Sequence, residues 1–264
     1  LLLGVADPAD FGLFVLAAAL MSLAVLPLSL SSSPAPRYDL PPRMPVKELW
    51  AKSPVGIVGG LGSGMANGAA FAMVPVYGVI VGMSVNRIAL LMGTMMLGAI
   101  VLQWPIGAWS DRIHRRRAIV AINLMASATA ILSSQLDPNG SWIFVAIFLF
   151  GGSTFPVYSL SLSHVNDVLE PHQIVAASSV FILVWGLGSA LGPIVGSALM
   201  TDTNANRLFW MMGAVHLAVA VFATVRIFVR EGIAISDQER YLPIPARAPG
   251  LIGTLTRSRR NRDV

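Results

Sequence analysis

The 264-residue chain contains no cysteine. Disulfides and thiol chemistry are therefore excluded, and the absence carries no information about compartment. Charge is scarce too: 12% of the residues are Asp, Glu, Lys or Arg, about half the share usual for a soluble domain. None of them falls in the middle of an apolar run, so a proton or ion relay through a membrane-buried carboxylate cannot be assembled from this chain alone. The opening Leu1–Val5 offers neither an initiator Met nor a basic stretch, which speaks against a signal peptide. It reads as the end of a helix whose beginning is missing. No Ser-His-Asp or His-Glu-x-x-His constellation lies in an apolar run, which argues against an intramembrane enzyme. His164, Asp167, Glu170 and His172 can be pictured as metal ligands, but they surround Pro171 without a ligand spacing. Ordinary solvated loop residues are expected there, with no metal and no other cofactor.

What is present is apolar. Hydrophobic residues make up 55% of the chain and the mean hydropathy is +0.70. Several runs exceed the roughly 18 residues that mark a bilayer span, so the fold class expected is an all-α polytopic membrane protein. The isoelectric point of about 10.2 could point to nucleic acid, yet Lys and Arg lie in the connections and the tail, where membrane topology explains them without nucleic acid.

A first span is expected over about Phe11–Leu30, and a long Ser-, Pro- and charge-rich connection, "SSSPAPRYDLPPRMPVKELWAKSP", follows it. That connection can hold a short surface helix near Val46–Ala51, with Trp50 at the interface. Six further spans are expected over about Pro54–Met83, Asn86–Trp109, Ala118–Gln135, Trp142–Ser163, Ile174–Met200 and Leu208–Val229. The stretch "HVNDVLEPHQ" reads as a loop, and the tail 231–264 is expected to be poorly ordered. With "PIGAWSDRIHRRR" placed inside, that side collects Arg37, Arg43, Lys47, Lys52, Arg112, Arg115, Arg116, Arg117, Arg226 and Arg230, against Arg87 and Arg207 outside. This asymmetry is a positive-inside signal that puts the C-terminus in the cytoplasm.

Two apolar runs carry glycine ladders: Gly56, Gly60, Gly64 and Gly68, then Gly188, Gly192 and Gly196 with Pro193 beside them. In lipid no hydrophobic drive pulls helices together, so small residues on one face permit the close backbone approach that does. Such faces serve packing alone, or sliding between helices during a transport cycle. Polar residues inside spans are few. Thr154, Tyr158 and Ser161 fall at helical spacing on one face; Ser63 and Asn67 share another; Tyr77 and Gln103 lie further along. They should face protein or a wet cavity, either as interhelical hydrogen bonds or as the lining of a substrate path. His216 is expected to be a satisfied packing residue.

"GAWSDRIHRRR" resembles the loop signature of the major facilitator superfamily, a Gly, three residues, Asp-Arg, then a basic cluster. Gly107, Asp111, Arg112, Arg115, Arg116 and Arg117 match it, while His114 stands where the family often has Gly. "GSALGPIVG" is similar to the family's Gly-x-x-x-Gly-Pro-x-x-Gly pattern, and "FPVYSLSLSHVND" looks like the tenth span of a poorly characterised bacterial branch. The resemblance implies spans six to twelve of a twelve-span transporter of the bacterial inner membrane. Residues 1–31 would end the first half, 32–53 form the central cytoplasmic loop, and 54–230 form the six-helix C-terminal bundle. The absent N-terminal half, the lipid bilayer and a small-molecule substrate would be its partners. It further implies that Gly107 lets two helices approach and that Asp111 sits near a helix N-terminus and pairs with arginines as an inner gate. Asn67, Tyr77, Thr154, Tyr158 and Ser161 would then face the substrate. A facilitator without ion coupling, or a membrane scaffold or receptor, remains the alternative.

Overall fold

The computed structural model describes residues 11–29, 44–229, 238 and 241. Nine α-helices and no strand occur among them: α1 Gly12–Ser29, α2 Val46–Lys52, α3 Pro54–Ile80, α4 Val85–Ser110, α5 Arg115–Gln135, α6 Trp142–Thr154, α7 Pro156–Asp167, α8 Ile174–Leu199 and α9 Arg207–Val229. Six membrane-length apolar helices result, with α6 and α7 together forming one of them. α3 has 27 residues, about 40 Å of helix at 1.5 Å per residue, enough to cross a bilayer with tilt. The expected first span is α1, only 18 residues long. It stands outside those six and exposes Phe14, Val15, Leu20 and Met21.

Backbone packing explains the glycines. A Cβ on Gly64 or Gly68 of α3 would strike the α8 backbone at Trp185 or Ser189; one on Gly188 or Gly192 would strike the α3 backbone at Leu61 or Met65. The two ladders therefore meet face to face, and α3 packs more extensively on α8 than on any other element. Lower on α3, Gly56 meets Val165 of α7 and Gly60 meets the Phe181 ring, while a Cβ on Gly196 would press only on the Leu208 side chain, at 3.2 Å. A second seam joins α4 to α6. A Cβ on Gly98 would strike the Phe148 carbonyl, and one on Gly151 the Met95 carbonyl. These glycines lack a regular four-residue ladder, so no periodic signal reveals them.

The helix pair α6–α7 departs from expectation. Pro156 has no N–H to give to the carbonyl four residues back, so the helix breaks at Phe155 and restarts with Pro156 in its first turn. α7 then runs on to Asp167. The loop expected to begin at His164 therefore begins only after Asp167, and His164 and Asp167 are buried helix residues rather than solvated ones. The surface helix of the connection is present as α2: Leu49 is buried, and Trp50, half exposed, lies 6.2 Å from Phe222 by ring centroids. Lys52 Nζ donates to Gln173 Oε1 at 2.7 Å, tying α2 to the turn before α8. The expected stub 1–5, the connection 31–43 and the tail apart from Gln238 and Tyr241 lie outside the described residues.

Candidate functional site: the charged end of the bundle

The signature loop joins α4 to α5, and Arg115 opens α5. Arg115 is 2% exposed, and its guanidinium reaches two carboxylates. Nε donates to Asp167 Oδ2 at 3.0 Å and Nη1 to Asp111 Oδ1 at 3.4 Å, with Ser110 Oγ also at 3.4 Å. Asp167 belongs to α7 and its side chain is 1% exposed, whereas that of Asp111 is 27% exposed. A buried arginine needs a carboxylate partner, because an unpaired charge taken out of water costs several kcal/mol. Asp167 supplies it. The more solvated Asp111 contact is longer and weaker, so one cation is shared between a strong partner and an exchangeable one.

Asp111 lies at the C-terminus of α4, four residues before α5, and its carboxylate accepts from Arg115, the first residue of α5, and from a backbone N–H. The place of the missing Gly107 Cβ is filled by the ring of Tyr241, from the tail. Tyr241 N–H donates to Asp111 Oδ1 at 2.7 Å, and the side chain is buried among Ile106, Val157 and Leu160. Burial raises the Tyr241 phenol above its ordinary pKa, and the nearby Ser159 and Gln103 side chains oppose that rise. The Gln238 amide donates to the Ile113 carbonyl at 3.2 Å and accepts from the Arg115 backbone N–H at 3.3 Å. It thereby satisfies one of the donors that every helix N-terminus leaves open.

Beside the ion pair is a cavity of about 210 Å³ lined by His114, Arg116, Arg117, His164, Asp167 and Gln238 among others. Arg116 Nη1 donates to the Arg226 carbonyl of α9 at 3.4 Å. Arg112 and Arg117 are exposed. No group of His, Asp or Glu suited to a metal occurs among the described residues.

The polar residues of the spans do not share one surface. Thr154 faces α9, where its hydroxyl bonds His216 Nε2. Asn123 donates to the Ile119 carbonyl at 2.8 Å, which leaves its Oδ1 to accept from His216 Nδ1 at 2.9 Å. That fixes the tautomer: Nδ1 carries the proton and Nε2 accepts from Thr154. Both ring nitrogens are satisfied, and the triad pins α5, α6 and α9 together. Tyr158 instead packs edge-on against Phe181 and Trp185 of α8, and Ser161 fits into the space left by Gly59 of α3. Tyr77 lies edge-on to Phe209, with ring centroids 4.9 Å apart. Ser63 bonds the Gly60 carbonyl of its own helix. Among the described residues, Asn67 Oδ1, Tyr77 Oη, Tyr158 Oη and Ser161 Oγ are buried without a hydrogen-bond partner, as are Ser53 Oγ, Asn166 Oδ1 and Tyr241 Oη.

Sequence reasoning missed Asp167, His164, Gln238 and Tyr241 as members of this site. Asp167 carried one usable signal: a carboxylate at the end of an apolar run on the arginine-rich side is worth pairing. Nothing in the pattern of the tail marked Gln238 or Tyr241.

Comparison with known proteins agrees with this geometry. Residues 56–240 match the model of the Major Facilitator Superfamily. The chain is 29% identical to the uncharacterized MFS-type transporter YfkF of Bacillus subtilis over 138 residues, 52% of this chain and 35% of that protein. It is 29% identical over 164 residues to an uncharacterized MFS-type transporter of Enterobacter sp. (strain 638), covering 61% of this chain and 41% of the relative. Against the uncharacterized MFS-type transporter YcaD of Salmonella arizonae the identity is 27%, with the same coverage. The matched stretch thus spans well under half the length of these relatives. With six membrane-length helices, the signature at the α4–α5 loop and a family match across most of its length, the chain belongs to the Major Facilitator Superfamily.

Proposed function

We propose that this chain is the C-terminal half of a secondary transporter that moves a small solute across the bacterial inner membrane by alternating access. An N-terminal half would pack against it, and the charged end would face the cytoplasm. The observation that carries the reading is Arg115, shared between a buried and a half-buried carboxylate at one end of the bundle. Two arrangements of one cation, with Asp111 engaged or released, are what a gate requires, and an anchor that only fixed topology would need neither Asp111 nor Gly107. Arg112, Arg116 and Arg117 then add the positive charge that holds this face at an anionic membrane surface.

Asn67, Tyr77, Tyr158 and Ser161 are the substrate-facing candidates the structure supports best, because each holds a buried oxygen without a partner. Buried polar groups ordinarily find a partner in protein or water, and a solute or a water-filled path would provide it. Gln103 lies beside Tyr241 at the charged end, a place for gating more than for solute. Thr154 is committed to His216. Chemistry on the solute is not part of this reading. Any coupling carboxylate would come from the other half, and a facilitator without ion coupling fits the same residues.

Asp111→Asn in the full-length protein is expected to impair uptake into vesicles while membrane insertion stays normal. Unchanged uptake at normal membrane levels would rule out the gate. Solvent-accessibility labelling at Asn67 and Tyr158 separates a transporter from a scaffold or receptor: both positions should become reachable from one side or the other, and protection from both sides would count against transport.

A further inference from the structure

One departure in the signature loop has no part in the gate. His114 stands where the family often has Gly, and it lines the cavity of about 210 Å³ at the charged end together with Arg115, Arg116 and Arg117. His114 caps α5 and the three arginines open it, in a first turn that holds no acidic residue. A helix N-terminus already carries about half a positive charge, and arginines stacked on it add repulsion that no carboxylate of that turn offsets. Among the described residues that line the cavity, the one carboxylate is Asp167, which takes the Arg115 Nε donor at 3.0 Å. A second, independent feature comes from α7. His164 is 4% exposed and lines the same cavity, and its ring makes no hydrogen bond among the described residues. Buried polar groups ordinarily find a partner. A buried imidazole left open toward a space walled by arginines points to a ligand that is anionic and accepts hydrogen bonds.

We propose that this cavity binds a phosphate group, carried by a phospholipid headgroup or by a small soluble phosphate. A phosphate presents several strong acceptor oxygens in different directions, so it needs donors from more than one side. The cavity supplies them from two helices: Arg116 and Arg117 in the first turn of α5, His114 at its cap, and His164 from α7. The planar fork of arginine matches phosphate oxygens bidentately, and each neutral imidazole adds one N–H. A carboxylate, with two oxygens in one plane, would leave part of this donor set unused. The volume amounts to several waters at ~30 Å³ each, room for one phosphate group. Asp167 stays with Arg115, so the anion displaces no ion pair between them. Arg117 is exposed and Ile227 of α9 forms an apolar edge, which leaves the cavity reachable at the rim of the bundle. The site is built from residues of this chain alone and does not depend on the transport reading.

The test uses the full-length protein in uncharged detergent at constant ionic strength, so that screening stays fixed. One arm titrates inorganic phosphate and the other dihexanoyl phosphatidic acid, a short-chain lipid. Each is read as the rise in thermal midpoint that a ligand of the folded state produces. At least one probe should raise the midpoint saturably, and the half-saturating concentration measures its affinity. Arg117→Gln, at an exposed position, and His164→Gln should each raise that concentration about tenfold, what one charge-assisted hydrogen bond is worth. Arg112→Gln, exposed in the same loop but outside the cavity, should leave it within about twofold. His114→Ala takes the place of His164→Gln if that variant does not fold. A response to inorganic phosphate assigns the site to soluble phosphates, and a response to phosphatidic acid alone assigns it to a headgroup; both support the proposal. No saturable rise with either probe overturns it. An equal loss in Arg112→Gln and Arg117→Gln shows attraction to diffuse charge, and a loss confined to Arg117→Gln shows a surface contact outside the cavity. Each of these overturns the proposal as well.

Discussion

The two ends of the bundle hold their arginines by different chemistry. At one end Arg115 is buried between Asp167 and Asp111, and the Tyr241 N–H also holds Asp111. At the other end Arg87, in the first turn of α4, has no carboxylate within ion-pair distance among the described residues. Its Nη2 donates to the Gly140 carbonyl at 2.6 Å and to the Pro138 carbonyl at 3.2 Å, and its guanidinium lies 4.8 Å from the centroid of Phe144. Backbone carbonyls of a tight turn are fixed in place by the chain and keep the same acceptor character at every pH. A carboxylate can exchange one cation or N–H donor for another. The carbonyl-held end is built as a fixed clasp between α4 and the α5–α6 turn, and the carboxylate-held end as one that can be rearranged.

That contrast can be broken or sharpened by substitution. The largest effect is expected for Asp167→Asn, which leaves Arg115 buried beside a neutral amide; removing one partner of a buried pair costs about 3–5 kcal/mol, read as a lowered thermal midpoint in detergent. The paired change Arg115→Met with Asp167→Leu should recover most of that stability, since apolar replacement of a buried pair is often neutral, yet it should remain defective in uptake. Between the ends, His216→Leu strands Asn123 Oδ1 and the Thr154 hydroxyl, and orphaned buried polar groups cost about 1–3 kcal/mol each, again as a loss of thermal midpoint. Arg87→Lys loses the planar fork that reaches both carbonyls, at about 1 kcal/mol, and uptake per folded molecule should be unaffected. Asp111→Asn should cost the least stability, under about 1 kcal/mol for a half-exposed partner, while its effect on uptake is large. Should Arg87→Lys impair transport as strongly as Asp111→Asn, the distinction between fixed and exchangeable ends would fall.

Much of the fold was legible before any coordinates. Length and hydropathy mark the six spans, because a bilayer demands about 20 apolar residues whatever their neighbours. The α3 and α8 ladders were legible because glycine at every fourth position has one mechanical use in lipid. The α4–α6 seam was not, since Gly98, Gly151 and Gly152 have no shared period and become meaningful only when two helices are placed side by side. The single face drawn through Thr154, Tyr158 and Ser161 assumed a single neighbour. The three side chains instead meet three different neighbours, α9, α8 and α3, because residues on one helix face still span enough arc to touch different helices of a bundle.

By itself, then, the sequence determined what the membrane enforces: six of the seven stretches expected to cross, which connections carry positive charge, and a signature whose spacing of Gly107, Asp111 and Arg115 is local. Tertiary structure decided every pairing between residues far apart in the chain. Asp167 meets Arg115 from 52 positions away and Tyr241 meets Asp111 from 130, and no local pattern encodes such contacts. They arise because a charge held at the edge of an apolar bundle is stable only beside a partner, and packing alone determines which partner can reach it.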